Sequence, residues 1–205
     1  MTPIGGAYCG QCGVPFENQK PLHGEGRCGL CRRGLTAFDW GRAYGVYEGP
    51  LRRVIQLLKY DRMRPLAREL AVRMADLVGE AGRVDLLAPV PLHRSRRRER
   101  GFNQAELLAS ELARISGIPV DSALLRRERA TETQTGLAHN QRRLNVRGAF
   151  AVRRAVAGRH IALVDDVITT GATVSECARV LKQAGAARVV ALAAARARLA
   201  MVDVT

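Results

Sequence analysis

The chain has 205 residues, a formal net charge of +14 and 47% hydrophobic residues, enough for one good core and a small appendage. No apolar run approaches the length of a membrane span, and MTPIGGAYC lacks a basic segment followed by an apolar one, so membrane insertion is excluded and a cytoplasmic protein is expected. The charge admits two readings: an acidic partner, nucleic acid first, or the arginine bias of a GC-rich genome. Aromatic residues make up only 4%, which argues against an extended stacking platform for bases.

Residues 1–36 are rich in Gly, Cys and Pro, with almost no apolar periodicity. They carry two CxxC pairs, Cys9 with Cys12 and Cys28 with Cys31. Paired at this spacing in a cytoplasmic chain, they suit a four-thiolate structural zinc site, with redox use as the alternative. A segment so poor in apolar surface needs a metal to order it. His23 lies between the pairs and is not required. Residues 38–47 alternate aromatic and small residues, as in a short strand or hairpin. Pro50 then opens a helix with Leu51, Val54, Ile55 and Leu58 on one face, and a second helix is expected at about 65–77. The intervening Lys59-Tyr60-Asp61-Arg62 reads either as a helix end with a cation or as a surface feeding a site.

Leu86 to Leu92 reads as a buried strand broken by Pro89 and Pro91, ending in a rigid loop. That loop carries His93, Arg94, Arg96, Arg97, Arg98 and Arg100. Asn103 with Glu106 looks like a capping box for a helix whose apolar face is Leu107, Leu108, Leu112 and Ile115. From 126 to 147 the chain is polar and basic, with weak helical signal around 137–144. A loop of this composition would open easily, and a plain surface helix is the other reading.

The most informative stretch is HIALVDDVITTGATVSECARVLKQAGA. Ile161 to Val164 predict a buried parallel strand that ends at Asp165 and Asp166. Thr169, Thr170, Gly171, Ala172 and Thr173 form a small, hydroxyl-rich turn, and apolar residues at helical spacing follow, with Gly185 as C-cap. A strand, a glycine turn and a helix N-terminus together make an anion site, where Gly171 and Ala172 permit close approach of phosphate. Carboxylates repel phosphate but suit sugar hydroxyls, or water on a magnesium ion. A phosphorylated sugar satisfies both halves. No GxxxxGK[ST] occurs, so a P-loop NTPase is not expected. A further core strand is expected at 188–195.

VDDVITTGAT resembles the phosphoribosyl pyrophosphate (PRPP) signature of type I phosphoribosyltransferases. PVPLHRSRRRERGFNQAELLA resembles the characteristic segment of the ComF family, including its ComFC and GntX-like branches. That match continues through Gln134, Arg142-Arg143, Asn145-Val146 and Gly148-Ala149-Phe150, and takes in the four-cysteine head and LLKY. The resemblance implies an α/β fold with a mostly parallel sheet flanked by helices over 37–205, and a zinc-binding module at 1–36. It implies that Asp165 and Asp166 hold the ribose as catalytic residues, and that residues 169–173 hold the 5-phosphate. Magnesium, His93, Arg94, Arg96, Arg142 and Arg143 would meet pyrophosphate. Arg96, Arg97, Arg98 and Arg100 would contact single-stranded DNA in natural transformation, with a helicase or recombination protein as a possible partner. A strand carrier with reduced catalysis and a nucleotide-salvage enzyme are the alternatives.

Overall fold

The computed structural model describes residues 7–16, 26–129 and 139–198, without the side chains of 139, 140 and 142. Its elements run in chain order: α1 (Gly29–Arg32), β1 (Trp40–Val46), α2 (Gly49–Tyr60), α3 (Leu66–Glu80), β2 (Leu86–Pro89), α4 (Arg94–Arg100), α5 (Gln104–Ser116), β3 (Leu125–Arg127), α6 (His139–Val146), β4 (Phe150–Val152), β5 (His160–Ile168), α7 (Ala172–Gln183) and β6 (Arg188–Arg196). Strands β1, β6, β5 and β2 form, in that order, a parallel sheet. β3 and β4 make a separate antiparallel pair.

The two central strands are almost continuous apolar runs because both their faces are covered. Side chains alternate between two cores. Ile161, Leu163, Val189 and Ala191 join one core with α7, the cysteine segment and the β3–β4 pair. Ala162, Val164, Val190 and Leu192 join the other, with α2, α3 and α5. Leu51, Ile55 and Leu58 of α2 are buried as their spacing predicts. On α5 the buried face is Ala105, Leu108, Ala109 and Leu112, whereas Ile115 is 44% exposed: it lies on the rim of the stripe.

Three local expectations change. The arginine run is the helix α4 rather than a loop. His93 Nδ1 accepts from the Ser95 amide to cap it, and Gly101 ends it in the left-handed region at φ 79°. At α5, Asn103 caps alone by accepting from the Ala105 amide; Glu106 turns away to Arg97 at 3.0 Å, so the reciprocal half of the capping box does not form. The strand β5 continues past both aspartates to Ile168, held by β6 through the pair Ile168–Arg196.

The cysteine segment closes the β1 edge. Gly41 N donates to Gln11 O at 2.7 Å, and Arg42 donates to the carbonyls of Cys9 and Gly10. At Gly13 a Cβ would meet Gly41 O at 2.6 Å, so only glycine allows the turn to lie against the strand. Among the described residues no helix is long and apolar enough to cross a membrane.

Candidate functional site

In a parallel sheet the C-terminal strand ends open on one crevice. Here a cavity of about 260 Å³ brings Asp165, Asp166, Thr169 and Thr173 together with Lys59, Arg96, Arg100 and Arg127. Because they are adjacent on a strand, the two aspartates point to opposite sides and meet different neighbours. Asp166 is 7% exposed and pairs with the Lys59 ammonium at 2.9 Å. Burial by itself would lower the Lys59 pKa, but the Asp166 carboxylate outweighs it and the net shift is upward. Asp165 accepts the Asp166 amide at 2.9 Å. Burial, and next the Asp166 charge, push its pKa up to about 7. The two carboxylates thus sit in different surroundings, and both offer oxygens of the kind that accept hydroxyls or hold a hard cation.

The turn after β5 places its glycine at the start of α7. Gly171 is the N-cap of α7 at φ 80°, a left-handed conformation disfavoured for other residues. A Cβ there would lie 3.8 Å from Ile168 and Phe38; neither residue lines the aspartate cavity. Backbone conformation by itself is enough to require this glycine. Thr170 is buried, and its hydroxyl accepts from the Ala172 amide at 3.3 Å. Thr169 and Thr173 are the members of the turn that line the cavity. The first turn of any helix leaves amides without intrahelical partners, so α7 offers donors at this end.

The arginines of α4 are sorted by helical geometry. Arg96 and Arg100, four apart, line the aspartate cavity. Arg94 and Arg97, three apart, line a second groove of about 550 Å³ with Arg126, Arg153 and Arg154. Arg127, Pro91, Leu92 and Asn103 border both. Arg98 is exposed and lines neither. His93 caps its helix and also lines neither cavity. Arg143 donates to Leu35 O at 3.1 Å and lines a separate cavity with Glu176 and Arg179. The Arg142 side chain, Gln134 and His23 lie outside the described residues.

Sequence reasoning left Lys59 undecided between a helix end and a site surface, where the structure places it in the cavity, and it missed Gln104. Gln104 is 1% exposed; its oxygen accepts from Arg100 at 3.1 Å, while its Nε2 has no partner among the described residues, a donor buried at the cavity wall. Lys59 left a trace: it is one of three lysines among 33 basic residues, so a compact ammonium there is distinctive.

The four N-terminal cysteines are buried, and their sulfurs all lie within 4.8 Å of one another. Cys12 and Cys28 Sγ are 3.6 Å apart, close to the roughly 3.8 Å edge of a tetrahedron with metal–sulfur bonds of about 2.3 Å. The Cys12 and Cys28 amides donate to Cys9 Sγ, as amides around a bound thiolate do. The sulfurs crowd one another's protons. Hydrogen bonds led by Cys12 hold Cys9 far below the thiol range, and those from the same neighbours push Cys31 far above it. A cation among them resolves the conflict, because the thiolate is the ligand form. The donor set fits a tetrahedral metal.

A parallel sheet with paired carboxylates in the C-terminal half of one strand and a glycine turn opening the next helix defines an α/β protein of the phosphoribosyltransferase type. The family model for the phosphoribosyl transferase domain matches residues 99–204. Competence protein F of Haemophilus influenzae is 35% identical over 199 residues, covering 93% of this chain and 85% of that protein. DNA utilization protein YhgH of Escherichia coli K12 is 38% identical over 189 residues, 88% and 80% of the two chains. Competence protein ComFC of Bacillus subtilis is 39% identical over 102 residues, 50% of this chain and 40% of that one. Among solved structures, glutamine PRPP amidotransferase from B. subtilis superimposes on 62% of this chain and 26% of its own, at 24% identity and TM-score 0.43. The chain belongs to the ComF family of phosphoribosyltransferase-domain proteins.

Proposed function

We propose that this protein binds PRPP with magnesium and transfers its phosphoribosyl group to a nitrogen acceptor in the handling of incoming DNA, contacting single-stranded DNA as it does so. One observation carries the reading: Asp165, Asp166, Thr169 and Thr173 share a cavity with Lys59, Arg96, Arg100 and Arg127. Acceptors for sugar hydroxyls, donors for a phosphate and a group of cations for a pyrophosphate are thus within one ligand's reach. The names of competence protein F and DNA utilization protein YhgH support the DNA role.

In the reaction a bond forms between the acceptor nitrogen and C1 of the ribose as the C1–O bond to pyrophosphate breaks. The nitrogen's proton passes to solvent, and pyrophosphate leaves with the electron pair. Asp165 and Asp166 accept from the ribose hydroxyls and so fix C1. The turn at 169–173 anchors the 5-phosphate, and that remote binding positions the reacting carbon. Arg96 and Arg100 stabilise the charge that develops on pyrophosphate. Magnesium, when bound, would neutralise pyrophosphate further, and the two aspartates supply the hard oxygens it takes. We assign the four cysteines to a structural zinc that orders residues 1–36, with the phosphoribosyltransferase-like domain over 37–205.

A second reading, a strand carrier with reduced catalysis, draws on Arg94, Arg97, Arg126, Arg153 and Arg154, which gather in a groove beside the cavity rather than in it. Pyrophosphate release from PRPP, measured with and without single-stranded DNA, separates the two. The transferase reading expects release that DNA stimulates. Tight PRPP binding with no release under either condition contradicts it and leaves the carrier.

A further inference from the structure

Arg196, the last residue of β6, is a cation at 1% exposure at the C-terminal end of an interior strand. A charge so placed needs compensation. Among the described residues no carboxylate pairs with it. Its Nη1 donates to the carbonyl of Ile168 at 2.9 Å and to that of Thr169. Its Nη2 lies 3.9 Å from Cys12 Sγ. A divalent metal held by four thiolates carries a net charge of about −2, the counter-charge this guanidinium otherwise lacks. One rigid fork therefore has one arm on the thiolate centre and the other on the backbone that enters the phosphate turn.

Two further contacts run the same way. Gln11, between the first two cysteines, donates to Phe38 O at 3.2 Å, and the Phe38 ring supports Gly171 from beneath. The Ala37 amide donates to Ser175 Oγ at 2.8 Å, and the Ser175 amide in turn donates to Gly171 O at 2.8 Å. Ala37 and Phe38, tied to the cysteine segment through Gln11, thus lie against the turn and the first turn of α7.

We propose that Arg196 is a positioning residue through which the thiolate-bound metal holds the phosphate turn, so that metal occupancy sets affinity for a phosphate-bearing ligand. The inference rests on the reading of residues 169–173 as a phosphate site. With the metal gone, the cysteine segment loses the ion that orders it, and Cys12 Sγ is no longer fixed against the guanidinium. The guanidinium then no longer has a reason to stay buried, and the Thr169 carbonyl is released. Because coupling between two sites is reciprocal, phosphate binding must tighten the metal by the same factor.

Calorimetry with ribose 5-phosphate, on zinc-loaded and metal-stripped protein, measures one side of the coupling. Competition for zinc against a chromophoric chelator, with and without saturating ribose 5-phosphate, measures the other. Both should change by about tenfold, with unphosphorylated ribose producing neither effect. Arg196→Met should still bind zinc but reduce the coupling to below about twofold, and Arg196→Lys should retain part of it. Coupling below about twofold in the unsubstituted protein, or full coupling in Arg196→Met, overturns this inference and leaves the phosphate assignment standing. If zinc-loaded protein does not bind ribose 5-phosphate at all, the phosphate assignment fails and takes the inference with it. Should Arg196→Met not fold, the two measurements on the unsubstituted chain decide.

Discussion

Asp165 and Asp166 are chemically the same residue, and their surroundings give them different consequences. Asp166 neutralises Lys59 in a poorly hydrated place, with side-chain exposures of 10% and 16%. Asp166→Asn strands that ammonium, and we expect a loss of about 3 kcal/mol, the low end for a broken buried pair, in urea unfolding. Asp165→Asn removes a charge that burial already disfavours, so stability should hold or rise while PRPP affinity falls. The pH dependence has a definite sign. The folded pKa of Asp165 is raised from 3.8 to about 7, so its stabilising contribution is complete below the unfolded value and is lost as pH rises through about 7. Ligand hydroxyls need the ionised form, so PRPP binding between pH 6 and 7 should release a proton from this group. Calorimetry in buffers of different ionisation enthalpy would detect that release, and Asp165→Asn should abolish its protein share.

Elements with an apolar face were legible; α4 was not. Its seven residues bury no side chain, so nothing in the pattern separates a helix from a charged loop. Yet helical phase decides which arginines face which groove. Replacing Arg94 and Arg97 by Ala should make the salt dependence of single-strand affinity shallower by about 0.7 per lost phosphate contact and leave PRPP binding nearly unchanged. Arg96 and Arg100 changed to Ala should weaken PRPP first. Equal effects of both pairs on both ligands would mean that the two grooves are not distinct sites. The end of β5 was misjudged for a related reason. Acidic residues look like the close of a strand, but the ladder to β6 carries them on to Ile168. At the next turn, the TTGAT pattern located the glycine but not its left-handed backbone, since a φ of 80° is not written in residue type. Gly171→Ala should therefore cost about 1–2 kcal/mol through backbone strain, readable as a lower unfolding midpoint.

Across the whole molecule, the two CxxC pairs were readable as a metal-ligand set from spacing alone. Their place was not, because Cys12 and Arg196 are 184 residues apart in sequence and meet only through the order of the sheet. We expect one zinc per chain by metal analysis; less than half an equivalent, with residues 7–16 and 26–35 still ordered, would contradict the assignment. The central claim is that the aspartate pair and the 169–173 turn take one ligand between them. Calorimetric titration of PRPP with magnesium into the unsubstituted protein, Asp165→Asn and Gly171→Ala tests it most directly. Losing one charge-assisted contact is worth about 1.5–3 kcal/mol, so Asp165→Asn should bind at least about tenfold more weakly, and Gly171→Ala should also bind more weakly. Parent-like affinity in both variants would contradict the account.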